Sequence, residues 1–106
     1  MDSALKNLVE TKVEKSLGGN AVDLLLRWRE AGVHWRNIQA ETYRIAAMVA
    51  EASQGERWCL DARADCGVLG RGLIGTYIRI ELADATDAES ARAAVILLGI
   101  AHDIRR

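Results

Sequence analysis

The sequence contains no proline, and this leaves glycine as the residue that divides the chain into segments. Proline removes a backbone N–H and cannot continue a helix or a central strand, so its absence deprives the chain of the usual breaks and linkers. The nine glycines include a pair at 18–19 and a cluster within 67–75. We therefore expect these positions to end regular segments.

Helical spacing of apolar residues is clearest over residues 35–52. The residues that repeat there at alternating intervals of three and four are Trp35, Ile38, Thr42, Ile45, Val49 and Ala52. Such spacing places them on one helical face. Residues 3–17 and 20–31 carry similar stripes that end at glycine, so we expect helices there as well. The sequence Thr86-Asp87-Ala88-Glu89 is a capping box, which predicts that a last helix begins there.

The middle of the chain gives a weaker pattern. Residues 57–66 fit a helix, and residues 76–82 alternate apolar and charged side chains as a strand does. A lone strand has no partner, so we expect 76–82 to be helical or to be an edge strand used in dimerisation. The sequence thus predicts one domain over 1–106, an all-α bundle of about five helices with an irregular glycine-rich segment near 67–75.

The charge balance limits the classes of function. With 14 basic and 15 acidic side chains, the formal net charge is -1, which excludes a strongly basic nucleic-acid-binding domain. A nucleic-acid site would have to be a local patch. The longest apolar run, Val95–Ala101, is far shorter than the ~20 residues that span a bilayer. Residues 1–20 carry no apolar stretch typical of a signal peptide, so we expect a cytoplasmic protein without membrane contact.

Three patterns suggest chemistry, and a structural explanation fits each one better. The segment Gly70–Gly75 matches the dinucleotide-binding fingerprint, but it follows a helix-like segment where the fingerprint requires a strand. Cys59 and Cys66 have no histidines at metal-ligand spacing, which favours free thiols. Asp61 and Asp65 are more typical of solvated charges than of a catalytic pair. We therefore expect no metal, no cofactor and no enzymatic activity.

The arrangement of tryptophan and arginine is the most distinctive feature. All three tryptophans have a cation beside them, in Arg27-Trp28-Arg29, His34-Trp35-Arg36 and Arg57-Trp58. Trp35 lies on the helical stripe and is expected in the core. Arginine binds phosphates and unpaired bases stack on aromatic rings, so this pattern favours single-stranded nucleic acid. The candidate nucleic-acid-binding residues are Arg27, Trp28, Arg29, Arg36, Arg44, Arg57 and Trp58.

Two resemblances add to this interpretation. Residues 24–38 resemble a bacterial helix-turn-helix segment through Arg27-Trp28-Arg29-Glu30-Ala31-Gly32-Val33, although an unbroken helix follows where the recognition helix is expected. In size and expected helical content, the whole chain resembles the small anti-CRISPR proteins of phages, including those against type I systems, although no motif carries this likeness. That resemblance implies an inhibitor that occupies a surface of a nucleoprotein machine.

Three functional hypotheses follow. The first is a phage or mobile-element inhibitor that engages nucleic acid, preferably single-stranded DNA, or a nucleoprotein effector complex through the arginine and tryptophan face. The second is a helix-turn-helix transcriptional regulator, which requires a dimer and a duplex operator. The third is a helical protein-interaction module that uses the apolar region 67–82. The oligomeric state stays open at this level.

Overall fold

The computed structural model describes residues 7–105, which form one four-stranded antiparallel sheet covered on one face by two helices. The expected all-α bundle is therefore wrong. In chain order the elements are β1 (Val9–Lys15), β2 (Ala21–Arg29), α1 (Trp35–Ala52), β3 (Cys59–Gly70), β4 (Leu73–Glu81) and α2 (Asp87–Arg105). The strand order across the sheet is β1-β2-β4-β3, so β2 and β4 are central and β1 and β3 are the edges.

Strand β2 replaces the helix that we expected over residues 20–31. Its even-numbered side chains, Val22, Leu24, Leu26 and Trp28, are all fully buried. This is the alternation of a strand with one face on the core. The helical interpretation failed because Leu25 completes a helical stripe with Val22 and Leu26. Residues 24–29 are extended, so the local resemblance to a helix-turn-helix segment does not correspond to such a motif here.

Residues 73–81 form strand β4, which confirms the strand-like alternation of residues 76–82, but the expected place of this segment in the fold is wrong. It lies between β2 and β3, so it is neither a helix nor an edge strand. Ile78 pairs with Leu24 of β2, and Ile80 pairs with Val22, which joins the two buried rows. These central rows form the floor of the hydrophobic core.

The two edge strands correct two further helix predictions. Residues 9–15 form β1, and residues 1–6 of the expected first helix lie outside the described residues. Residues 59–70 form β3, which covers most of the helix expected over 57–66. Both segments contain short apolar rows that fit either period, so their sheet partners decide the structure.

Both long helices confirm their predictions. In α1, Ile38, Thr42, Ile45 and Val49 face the core. Thr86 caps α2 as expected, since its hydroxyl accepts a hydrogen bond of 3.2 Å from the Glu89 backbone N–H. The other half of the expected capping box differs, because the Glu89 carboxylate accepts from the backbone N–H groups of Ala83 and Asp84. Helix α1 packs on β3 and β4, while α2 packs on β1 and β2. The opposite face of the sheet, which we call the open face, carries no helix of the described residues.

The glycine-rich segment forms a tight hairpin between β3 and β4. Gly70, Arg71 and Gly72 have φ values of 81°, 57° and 71°, which are left-handed conformations that favour glycine. The sequence that matches the dinucleotide fingerprint is therefore a hairpin turn between strands. It does not lead into a helix N-terminus, which the fingerprint requires.

Candidate binding groove on the open face

Arg27, Trp28 and Arg29 lie in strand β2, so their side chains point alternately to the two faces of the sheet. Successive side chains of a strand point to opposite faces. Arg27 and Arg29 therefore lie on the open face, while the Trp28 side chain is fully buried beneath the helices. Trp28 has no exposed ring on which a base could stack, so the sequence interpretation of this residue is corrected.

Trp28 is instead part of a buried hydrogen-bond chain. Its indole N–H donates to the Thr76 hydroxyl at 3.0 Å. The Thr42 hydroxyl lies 2.9 Å from that of Thr76 and donates to the Ile38 carbonyl at 2.7 Å. Each hydroxyl has one proton, so Thr76 donates to Thr42. The chain joins β2, β4 and α1 and satisfies an indole that would otherwise be buried without a partner.

Trp58 also faces inward, although less completely. It is half-buried against the core, and its indole N–H donates to the Glu89 carboxylate at 2.7 Å. The same carboxylate oxygen accepts from the backbone N–H of Ala83 at 2.9 Å. Glu89 thus occupies the region before the α2 N-terminus where an external anion would bind. The neighbouring Arg57 is exposed.

Arg36 and Trp35 form an exposed pair of a cation and an indole. The Trp35 side chain is 48% exposed, which contradicts the expectation that it lies in the core. The Arg36 guanidinium lies 5.3 Å from the centre of its ring, and the His34 ring lies 5.5 Å away. Arg44 is exposed on the same helix and pairs with Glu41 at 3.4 Å. These side chains belong to α1, on the helix-covered side of the sheet.

The seven residues predicted from the sequence do not form one continuous face. Arg27 and Arg29 lie on the open face, Arg36 and Arg44 lie on α1, and Arg57 follows that helix. Two of the predicted residues, the tryptophans, turn towards the core. Only the two arginines of β2 share a surface with the cavity described next.

A groove of about 390 Å³ lies on the open face over β2, β3 and β4. That volume is within the range of roughly 300 to 1,000 Å³ common for ligand sites. The residues that line it are Leu25, Leu26, Arg27, Arg63, Asp65, Gly67, Leu69, Gly75, Thr76 and Tyr77. We call this site the sheet groove.

Paired glycines explain the shape of the sheet groove. Gly75 of β4 pairs with Gly67 of β3, so two adjacent strands lack side chains on the same rung of the open face. The register shifts between Val68 and Gly70, which leaves Leu69 as an extra residue. The Leu69 side chain folds over Gly75. A Cβ atom at that glycine would lie only 2.8 Å from Leu69 Cδ1, so this position has no room for a side chain. A side chain at Gly75 would displace this wall of the groove.

The charges around the sheet groove are unevenly paired. Arg63 lies 3.7 Å from Asp61, an exposed and weak contact. Arg27 forms no salt bridge among the described residues, so its guanidinium is available to an anion. Arg79 behaves differently. It makes two hydrogen bonds of 2.8 and 2.9 Å to Asp23, and this pair raises the pKa of Arg79.

Tyr77 supplies the only aromatic ring among the residues lining the sheet groove. The Arg79 guanidinium lies over this ring at 5.4 Å from its centre, which helps to orient it. Tyr77, Leu25, Arg63 and Leu69 were missed from the sequence. The alternation over 76–82 was a signal for Tyr77, but the other residues meet it only through strand pairing and the shifted register.

No group of three or more His, Cys, Asp or Glu side chains within 7–105 is arranged to hold a metal ion. Cys59 and Cys66 are both free, as expected. Burial and the Asp65 carboxylate raise the pKa of the Cys66 thiol, which makes it a poorer nucleophile at neutral pH. Neither described helix is long and apolar enough to cross a membrane.

Comparison with known proteins adds no assignment. No protein-family model, curated protein or solved structure matches this chain. The case for the sheet groove therefore rests on its geometry and charge.

Proposed function

We propose that this protein is a non-catalytic binding protein that holds single-stranded nucleic acid in the sheet groove. The observation that supports this most directly is the combination of Tyr77 with the unpaired guanidinium of Arg27 in one cavity on an open sheet face. Unpaired bases stack on aromatic and apolar side chains, while their phosphates bind arginine. An open antiparallel sheet gives an extended strand room for both contacts.

The details of the groove favour a single strand over a duplex. Its apolar walls are Leu25, Leu69 and Tyr77, and the space above Gly67, where a Cβ atom would meet only the Gly75 carbonyl oxygen at 3.8 Å, has room for a flat ring. Bases in a duplex are stacked on one another and cannot enter such a cavity without being extruded. Arg29 lies one rung from Arg27 on the same face, where it would meet the next phosphate.

The proposal includes a biological role for this binding: the protein inhibits a nucleoprotein machine. The resemblance to anti-CRISPR proteins depended partly on expected helical content, and the sheet removes that part. Occupation of an exposed single strand, or of the surface that holds it, is the mechanism we assign to that role. A cytoplasmic location fits this activity and belongs to the same proposal.

A protein partner is the alternative that a specific observation favours. Leu69, which lines the groove, is 54% exposed, and its chain neighbour Val68 is 78% exposed. Exposed apolar side chains beside a cavity are typical of sites that bind protein segments. In this alternative the sheet groove holds an apolar side chain of the partner, and nucleic acid does not bind.

The test is an anisotropy titration with labelled single-stranded and duplex oligonucleotides. Three phosphate contacts, from Arg27, Arg29 and Arg63, predict that single-strand affinity falls about 20-fold between about 50 and 200 mM salt. Arg27→Ala weakens this binding and reduces the salt dependence. Arg44→Ala, which removes an exposed arginine from the helix side, leaves both unchanged.

The competing hypotheses predict other results. Equal losses from Arg27→Ala and Arg44→Ala would contradict the groove as the site. A preference for the duplex would contradict the single-strand proposal. Absence of binding to either oligonucleotide at low salt would leave the protein-partner alternative.

A further inference from the structure

The two edges of the sheet differ in regularity. On β3 the register shifts between Arg63 and Gly67 and again between Val68 and Gly70. Such bulges disturb an edge and hinder the addition of another strand. Strand β1 pairs with β2 over all seven residues, 9–15, without a shift. Among residues 7–105 no strand pairs with its outer edge, which is an even row of backbone groups that a further strand can join.

The charges of β1 select one partner for this edge. On the open face, Glu10, Lys12 and Glu14 alternate in sign, and Lys12 lies 2.9 Å from Glu14 within the chain. In an antiparallel pair of two β1 strands centred on Val13, Lys12 of each copy faces Glu14 of the other. Opposite charges in directly opposed positions stabilise a strand pair. A pair centred on Lys12 would oppose like charges and is disfavoured.

Helix α2 presents an exposed apolar side chain, Leu98, next to the same edge. It packs on β1 and β2, and the Arg92–Glu56 ion pair of 3.3 Å marks the side of α2 that faces the end of α1. Leu98 lies about 120° around the helix from Arg92, on the side away from α1. Leu98 is 56% exposed.

The turn after β1 adds a second exposed apolar side chain. Leu17 is fully exposed in the monomer, with an exposed fraction of 110%. In the pair centred on Val13, residues 11–15 of the two copies pair, and the turn that carries Leu17 follows directly after this segment, near the start of β1 of the other copy. A pair centred on Thr11 also matches charges, but its paired strand residues end at Val13 and leave Leu17 farther from the other copy. The position of Leu17 therefore favours the Val13 register.

We propose that the partner of this edge is a second copy of the chain. The two β1 strands pair about Val13 and make one eight-stranded antiparallel sheet, and the α2 helices pack against each other over the junction through Leu98. The interface uses the same surface on both copies, so it closes as a two-fold dimer. Both sheet grooves then lie on one continuous open face. The dimer follows from β1 and α2 alone and does not depend on the proposed nucleic-acid binding.

The main test is sedimentation velocity of full-length wild type, Lys12→Glu and Glu14→Lys over a range of concentrations. Each charge reversal opposes like charges at two symmetric positions, so the dimer dissociation constant rises about tenfold or more. In an equimolar mixture of the two variants, every reversed side chain again faces an opposite charge, and a heterodimer forms with near wild-type affinity. Arg44→Glu makes the same charge change on the exposed surface of α1 and leaves the dimer intact.

A second variant tests the helix contact. Leu98→Glu places a charge on the exposed side of α2 and weakens the dimer, while Val68→Glu, at the opposite edge of the sheet, does not. Circular dichroism checks that both variants stay folded. The proposal is overturned if wild type sediments as a monomer at all concentrations, or if the mixture of charge variants fails to restore the dimer. A monomeric Lys12→Glu protein that still binds oligonucleotide separates failure of the dimer from failure of the groove.

Discussion

On the helix side of β2 and β4 the side chains are buried and, apart from Thr76, apolar, whereas on the open side of the same strands most are charged, aromatic or absent and Leu25 is partly exposed. Leu24 and Ile78 pair on the covered face, and Leu25 and Tyr77 pair on the open face one residue away. The covered face stabilises the fold, and the open face is free to bind. A shift of one residue along the strand therefore separates stability from the proposed function.

The adjacent residues Leu24 and Leu25 provide the most sensitive test of whether the two faces have different roles. Leu24→Ala leaves a cavity in the core and lowers the free energy of unfolding by about 2–5 kcal/mol. Leu25→Ala removes a wall of the sheet groove and lowers it by less than about 1 kcal/mol, but weakens oligonucleotide binding. Urea denaturation and the anisotropy titration measure the two effects. Equal losses of stability would show that the two faces contribute alike.

The buried chain of Trp28, Thr76 and Thr42 predicts a smaller effect on the covered face. Thr76→Val keeps the shape of the side chain but leaves the Trp28 N–H without an acceptor, which costs about 1–3 kcal/mol of stability. Thr42→Val costs less, because the Trp28 hydrogen bond to Thr76 is retained. Urea denaturation of the single and double variants, treated as a double-mutant cycle, checks the chain. Strictly additive losses would mean that the hydroxyls act independently.

The two cysteines report on the two faces of the sheet through their rates of alkylation, and this test requires no change in the stability of the fold. Cys59 lies on the open side of β3 and is exposed, whereas Cys66 packs against the core. Burial and Asp65 raise the pKa of the Cys66 thiol, so less of it is thiolate and it reacts more slowly with iodoacetamide at about pH 8. Asp65→Asn lowers that pKa and speeds the reaction. Peptide mass spectrometry gives both rates, and faster alkylation of Cys66 than of Cys59 would contradict the assignment.

The two long helices could be predicted because their signals are local. Residues 35–52 repeat the helical period five times, and the capping box at 86–89 marks a start that the structure confirms. The strands were missed because 9–15 and 21–29 carry apolar residues that fit both periods. Only the pairing of β2 with β4 decides between them, and this contact joins residues about fifty positions apart.

The candidate site was partly predictable for the same reason. Arg27 and Arg29 were found from the arginine and tryptophan pattern, since their chemistry is visible in the sequence. The strand period of β2 then turned Trp28 inward, which a helical interpretation could not anticipate. Arg63, Leu69 and Tyr77 meet at Gly75 through the shifted register of β3, and no local pattern encodes that shift.

The three indoles have different surroundings, so the intrinsic tryptophan fluorescence of the protein reports on three different sites. Trp28 is sealed in the core, Trp58 is half-buried beside the Glu89 carboxylate, and Trp35 is exposed under a guanidinium. Aqueous quenchers reach these rings to different degrees, and the positive charge of Arg36 draws iodide towards Trp35. Emission from a single unlabelled sample therefore distinguishes events at the surface of α1 from loosening of the core.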